Sequence, residues 1–431
     1  MAIQWLTRKI LRARPGEEKA VGLAFLYFFM LLCAYYLLRP VRDAMGSGAG
    51  VDNLRWFYTG TFVSMLVLTP FYGALVSRVR KQLLVPIAYG FFASNLLVFY
   101  FLFKLMADSF WVAASFFVWL SVFNYFVVSL FWSFMVDVFR DEEGKRLFGP
   151  IAAGGGTGAI VGSFITQDIV PTLGVDAVVG LAMLLLLGTL PCIRGLAHWA
   201  EVRHGHFVLP KEAPDSRIGG RMLAGLLLVA RSPYLIGIFT VLAIGSIAGA
   251  WMYIELLRFA GEAYVDDASR TQFFARLDLA INILSWIFQG LVVAWLIRVI
   301  SLPGALVAVP IAALLTFVAL CFALVAGMPI LAVLAGGQII RRAGEFGIAK
   351  PSREVLFTIV DTETKYKAKN FIETVMQRGS DLVGIWLHVS FQALGLGLFG
   401  LSVLCGAGMV AAGMISFGLG RSFERLRAGT S

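Results

Sequence analysis

The sequence predicts an all-α membrane protein of twelve transmembrane helices in two six-helix halves. Three observations carry that expectation: apolar runs of helix length recur along the chain, charge is scarce, and one polar stretch near the middle divides the runs six and six. Of the 431 residues, 59% are hydrophobic and only 14% are charged. Ordinary soluble domains carry about 25% charged residues, so this chain cannot clothe a water-facing surface of its size. A helix needs about 20 apolar residues to cross the hydrocarbon core, and with its loops a chain of this length accommodates about twelve.

The runs fall near 19–38, 54–76, 83–105, 109–137, 148–167, 173–197, 230–256, 273–298, 302–325, 328–349, 367–395 and 397–419. Most of the 36 Lys and Arg residues cluster in alternate loops. Arg8, Lys9, Arg12, Arg14 and Lys19 precede the first span; Arg78, Arg80 and Lys81 follow the second; Arg140, Lys145 and Arg146 follow the fourth. Arg341, Arg342, Lys350, Arg353, Lys365, Lys367 and Lys369 fall to the loop after the tenth span, and Arg421, Arg425 and Arg427 to the tail. By the positive-inside rule both termini face the cytoplasm, in a bacterial inner membrane. The first run lacks a small-residue cleavage site and is followed by Arg39, Pro40, Val41, Arg42 and Asp43, so it reads as a retained helix rather than a signal peptide. The polar stretch 198–221 separates an N-terminal half, 1–197, from a C-terminal half, 223–431. Two such halves around a polar linker (198–222) are the layout of the major facilitator fold, whose halves rock about a midplane site.

Several chemistries find no support in the residues. The net charge of +10 sits in short loops, not on a nucleic-acid footprint. Cys33, Cys192, Cys321 and Cys405 all lie in apolar runs, with the spacing of neither a disulfide framework nor a zinc site. His204 and His206 in the linker lack a third ligand, so no metal or other cofactor is expected. The Gly154–Gly158 run lacks the Lys-Ser/Thr ending of a phosphate loop. Gly154, Gly158 and Gly162 instead recur every fourth residue, a smooth stripe where another helix can approach, and Gly245 with Gly249 repeats the device in the seventh span. Neither an ATP-hydrolysing loop nor a nucleophilic triad stands out, and the expectation is a protein that is not an enzyme.

The charges inside spans carry the functional expectation, because burying them in lipid is costly. Arg39 and Arg42 lie three apart at the end of the first span, and Glu255 and Arg258 repeat that spacing in the seventh. The fourth span carries Asn124 and, at its end, Asp137. Asp278, Asn282, Ser285 and Gln289 form a polar stripe in the eighth span; Asn370, Glu373, Gln377, Asp381 and His388 form one in the eleventh, beside Lys369 and Arg378. Such stripes face a water-filled cavity or a complementary helix. Guanidinium and ammonium groups suit carboxylates and phosphates, so Arg39, Arg42, Asn124, Glu255, Arg258, Lys369 and Arg378 are candidate substrate-binding residues. Asp43, Asp137, Asp278, Glu373 and Asp381 are candidates for coupling or gating.

Gly73, Ser77, Arg78, Arg80 and Lys81 resemble the loop signature of major facilitator transporters, with Ser77 in place of Asp and one Gly missing. The wider chain resembles the ATP/ADP antiporter family of nucleotide transporters. Three segments carry this: Tyr36 to Asp43; Phe131, Trp132, Ser133 and Phe134 followed by Glu142 to Phe148; and Ser352 to Asp361 followed by Lys365, Lys367 and Lys369. The resemblance implies that Arg42 stands at that family's substrate-binding Lys, Glu255 at its functional Glu, and Lys369 at its essential Lys. Where the family places an acidic residue early in the fourth span, this chain reads Trp119, Leu120, Ser121. The function implied is secondary transport of an anionic solute, nucleotide or otherwise phosphorylated or carboxylated, by alternating access. A proton-coupled carrier of another organic anion or lipid head group stays open, as does a membrane scaffold. The partners expected are that solute and the bilayer, with no nucleic acid and a monomeric chain.

Overall fold

A computed structural model describes residues 14–78, 81–106, 109–204, 227–360, 372, 379 and 382–428. Among the described residues there are helices and no strands, as lipid requires: a helix satisfies its backbone hydrogen bonds internally. In chain order the helices are α1 (Glu18–Ala49), α2 (Val51–Arg78), α3 (Lys81–Leu105), α4 (Phe110–Val138), α5 (Asp141–His204), α6 (Pro233–Ala263) and α7 (Asp267–Ile287). A π-turn, Phe288–Val292, joins α7 to α8 (Val293–Ala326). A second π-turn, Glu345–Ala349, joins α9 (Ile330–Gly344) to α10 (Lys350–Leu356); α11 (Leu382–Ala393) and α12 (Leu398–Ala428) follow.

Seven helical stretches among the described residues are long and apolar enough to cross a membrane. Two of them cover 63 and 60 residues, about 90 Å each at 1.5 Å per residue, and therefore cross twice. The folds come where the backbone turns left-handed, at Gly174 (φ 81°) in α5 and Ser301 (φ 60°) in α8. Large apolar side chains such as Leu66, Phe71, Ile87, Trp111, Leu291 and Phe322 stand exposed, as expected of a surface that faces lipid.

The chain forms two compact units. The first contains residues 1–49, 63–213 and 264–279; the second contains 50–62, 214–263 and 280–431. The first stretch of α2 thus belongs to the second unit and the first half of α7 to the first unit.

In the first unit α1 makes its most extensive packing with α5. A β-carbon at Gly154 would stand 2.5 Å from the Phe25 carbonyl oxygen, and one at Gly162 2.6 Å from that of Cys33; at Gly158 it would overlap the Phe29 carbonyl. The glycine stripe therefore admits the backbone of α1, residue by residue at i, i+4. An aromatic core of Tyr27, Phe28, Phe131 and Phe134 fills the space between α1 and α4, and Tyr27 donates to Tyr89 of α3 at 2.7 Å. At the end carrying the basic residues, Glu17 accepts from Arg146 at 2.9 Å and from Arg203 at 3.4 Å. Asp266 starts α7: it accepts the Ser269 backbone N–H at 2.7 Å, which holds its carboxylate below the usual range.

Several helix ends differ from the sequence expectation. α1 runs to Ala49, so Arg39, Arg42 and Asp43 lie inside it, with Pro40 accommodated in the helix. α5 continues to His204, taking the first seven residues of the expected linker into helix. Residues 205–226, including His206, lie outside the described residues. Helix also continues past Ala349 to Leu356, so Arg341, Arg342, Lys350 and Arg353 are helical rather than loop residues. In α6 the glycine device is not repeated among the described residues: Gly249 makes room for the Arg341 guanidinium, and no described residue lies within 4 Å of a β-carbon at Gly245.

Candidate functional site

In the first unit α1 and α7 bring together four charges. Arg39 Nη1 donates to Asp278 Oδ1 at 2.6 Å, and its Nη2 lies 3.9 Å from Asp43. Arg42 donates to Asp43 Oδ1 from Nε at 2.9 Å and from Nη2 at 2.7 Å. Arg39, Asp43 and Asp278 are all buried. Ionised groups this deep persist only when paired, because taking each from water costs several kcal/mol. Two arginines and two aspartates satisfy that condition with no net charge. Arg42 is the less enclosed cation: it reaches Ser121 Oγ on α4 at 3.4 Å and lies 5.0 Å over the Phe117 ring. Ser121 thus offers a neutral hydroxyl where the resembling family has an acid. Asn124, half-buried, lies three residues on from Ser121 and so on the same face of α4. Asp137, also half-buried, lies near the end of α4, away from this cluster in sequence.

The polar stripe predicted in the eighth span is divided by the fold. Asp278 belongs with Arg39 in the first unit, whereas Ser285 and Gln289 belong to the second. There Gln289 Nε2 donates at 3.2 Å to the carbonyl of Phe346, in the second π-turn.

In the second unit Glu255 of α6 is buried, with Arg258 Nη2 at 2.8 Å from one carboxylate oxygen and His388 Nε2 of α11 at 3.4 Å from the other. Both approaches are close in distance but poorly directed. Among the described residues, neither Glu255 oxygen and neither His388 ring nitrogen has a hydrogen-bond partner. The juxtaposition rests on small residues: a β-carbon at Gly384 would meet that of Ala250 at 2.7 Å, so α11 lies tight against α6 one turn before His388. Glu262, the next acid on α6, is exposed and lies 3.9 Å from Arg258 Nε. Lys369, Glu373, Arg378 and Asp381 lie outside the described residues.

Sequence reading placed His388 in a stripe but gave it no role, and assigned Arg341 and Arg353 to a loop. Their signal was faint. His388 is one apolar-flanked residue, and the helix that carries Arg341 to Arg353 contains a π-turn that no hydropathy pattern announces.

The chain matches no protein-family profile and no curated protein sequence. Solved structures do resemble it. A bacterial homologue of the iron transporter ferroportin, in an inward-facing state, superposes with a TM-score of 0.65 at 12% identity, covering 93% of this chain and 98% of that one. The POT family transporter PepTSo gives 0.63 at 11% identity over 94% and 98%, and a mutant of the nucleoside transporter NupG 0.57 at 13% over 95% and 99%. Nearly the whole length of each chain is shared despite the low identity, so the chain is a multi-pass membrane protein with the twelve-helix fold of the major facilitator transporters.

Proposed function

We propose that the chain is a secondary transporter that carries a small phosphorylated or carboxylated anion by alternating access, with nucleotide exchange as one form of that reading. One observation carries it: each unit holds a partly enclosed arginine sharing a buried carboxylate, Arg42 with Asp43 and Arg258 with Glu255. An arriving anion can take the guanidinium from its carboxylate, exchanging one charge-assisted contact for another. Lys369, placed by the family resemblance, adds a third cation. Arg39 and Asp278 act as a gate, and the basic loops and both termini face the cytoplasm.

Equilibrium binding of nucleotides, sugar phosphates and organic carboxylates to the purified protein tests this reading. Losing a charged hydrogen bond costs about 1.5–3 kcal/mol, so Arg42→Ala, Arg258→Ala and Lys369→Ala should each weaken the bound anion about tenfold or more. Unchanged affinity in all three folded variants would leave the cations purely structural.

The unmade hydrogen bonds of Glu255 and His388 favour a second form, proton-coupled carriage. One proton between them would satisfy both groups. Arg258 and Glu262 on α6 are the other charges facing the pair among the described residues. When the anion draws Arg258 away, Glu255 takes up a proton, and the charges of anion and proton cancel. In proteoliposomes an imposed pH gradient should drive uptake by the wild type. Glu255→Gln should abolish the response to the gradient yet retain exchange. If wild-type uptake ignores the gradient, the pair plays no part in coupling.

A further inference from the structure

Within the second unit, α6, α8, α9, α10 and α12 line a partly open cavity of about 150 Å³, some two turns along α6 from Glu255. Its wall is largely aliphatic, with Leu242, Val309 and Leu419 among the lining residues, and its polar side carries Arg341, Glu345 and Arg353. The π-turn creates this polar side. In continuous α-helix, at 100° per residue, Arg353 would point about 120° away from Arg341. The π-turn at Glu345–Ala349 takes up an extra residue and brings Arg353 back to within about 30° of it. The turn is held from behind by the other π-turn: a β-carbon at Gly347 would overlap that of Phe288, and Gln289 bonds the Phe346 carbonyl. Arg353 Nη1 donates to Glu345 at 3.1 Å, and Arg341 Nε donates to buried Gln338 at 3.1 Å.

We propose that this cavity binds a compact amphiphilic monoanion, a short aliphatic or aromatic carboxylate. The planar guanidinium forks of Arg341 and Arg353 match a carboxylate, and Glu345 beside them disfavours a more highly charged anion. The apolar wall takes the hydrocarbon body. A volume of about 150 Å³ is that of a cavity known to admit benzene. Helix irregularities of this kind are frequent at functional sites. The site shares no residue with the Arg42 or Glu255 clusters and holds whether or not the chain transports an anion.

Benzoate is the probe, with benzamide as its neutral isostere and inorganic phosphate as an anion without a hydrocarbon body. Benzoate should bind the purified full chain and raise its unfolding midpoint, while benzamide and phosphate bind at least tenfold more weakly. Arg341→Gln should weaken benzoate at least tenfold. Ala313→Phe and, as a smaller filler, Ala412→Leu should abolish its binding by occupying the cavity. Equal binding of benzoate and benzamide, equal binding of benzoate and phosphate, or benzoate binding insensitive to both a folded filler and Arg341→Gln would overturn the proposal.

Discussion

Asp278→Ala is expected to destabilise the protein by about 3–5 kcal/mol, the cost of leaving a buried cation without its partner. Arg39 donates to Asp278 at 2.6 Å, and its other carboxylate neighbour, Asp43, lies at 3.9 Å and already accepts two bonds from Arg42. The loss should fall toward the lower end of that range, because Asp43 retains some attraction. The double variant Arg39→Ala/Asp278→Ala should recover much of it, since removing both partners leaves no uncompensated charge. Thermal or denaturant unfolding of the four proteins in detergent measures the coupling directly. Additive effects of the two single changes would mean that the pair contributes nothing as a pair.

Gly158→Leu is expected to cost about 3 kcal/mol, the upper part of the range for overpacking a close contact. The obstacle is the Phe29 carbonyl, a backbone atom that cannot rotate away as a side-chain tip could. The helices must part, and the flanking contacts at Gly154 and Gly162 part with them. Gly22→Leu on α1 is the control: no described residue lies within 4 Å of a β-carbon there, so the better helix former should leave stability unchanged or slightly raised. If the glycine run held phosphate instead, Gly158→Leu would lower anion binding without lowering the unfolding midpoint.

Hydropathy and charge determined much of the architecture. Lipid leaves the backbone no partner but itself, so a run of about 20 apolar residues has one solution, and its place in the sequence gives its place in the fold. The four-residue period of Gly154, Gly158 and Gly162 likewise announced a close helix contact before its partner was known. The charged residues of the candidate site were legible as a set for a related reason: Arg39, Arg42, Glu255 and Asp278 are too costly to face lipid and must find polar company.

Which company they find is a matter of tertiary structure. Arg39 and Asp278 lie 239 positions apart, and no local periodicity relates them; helix packing alone makes them partners. Glu255 meets His388 because Gly384 and Ala250 let two helices close on each other. The eighth-span stripe looked like one face in the sequence, yet Asp278 and Gln289 serve different units, because a long helix can pack against different neighbours along its length. Arg341 and Arg353 read as loop charges, since a π-turn has no compositional signature and the rotation it adds changes which residues share a face. The spans follow from the solvent's demand on single segments, whereas the sites depend on contacts between segments, which only the assembled chain supplies.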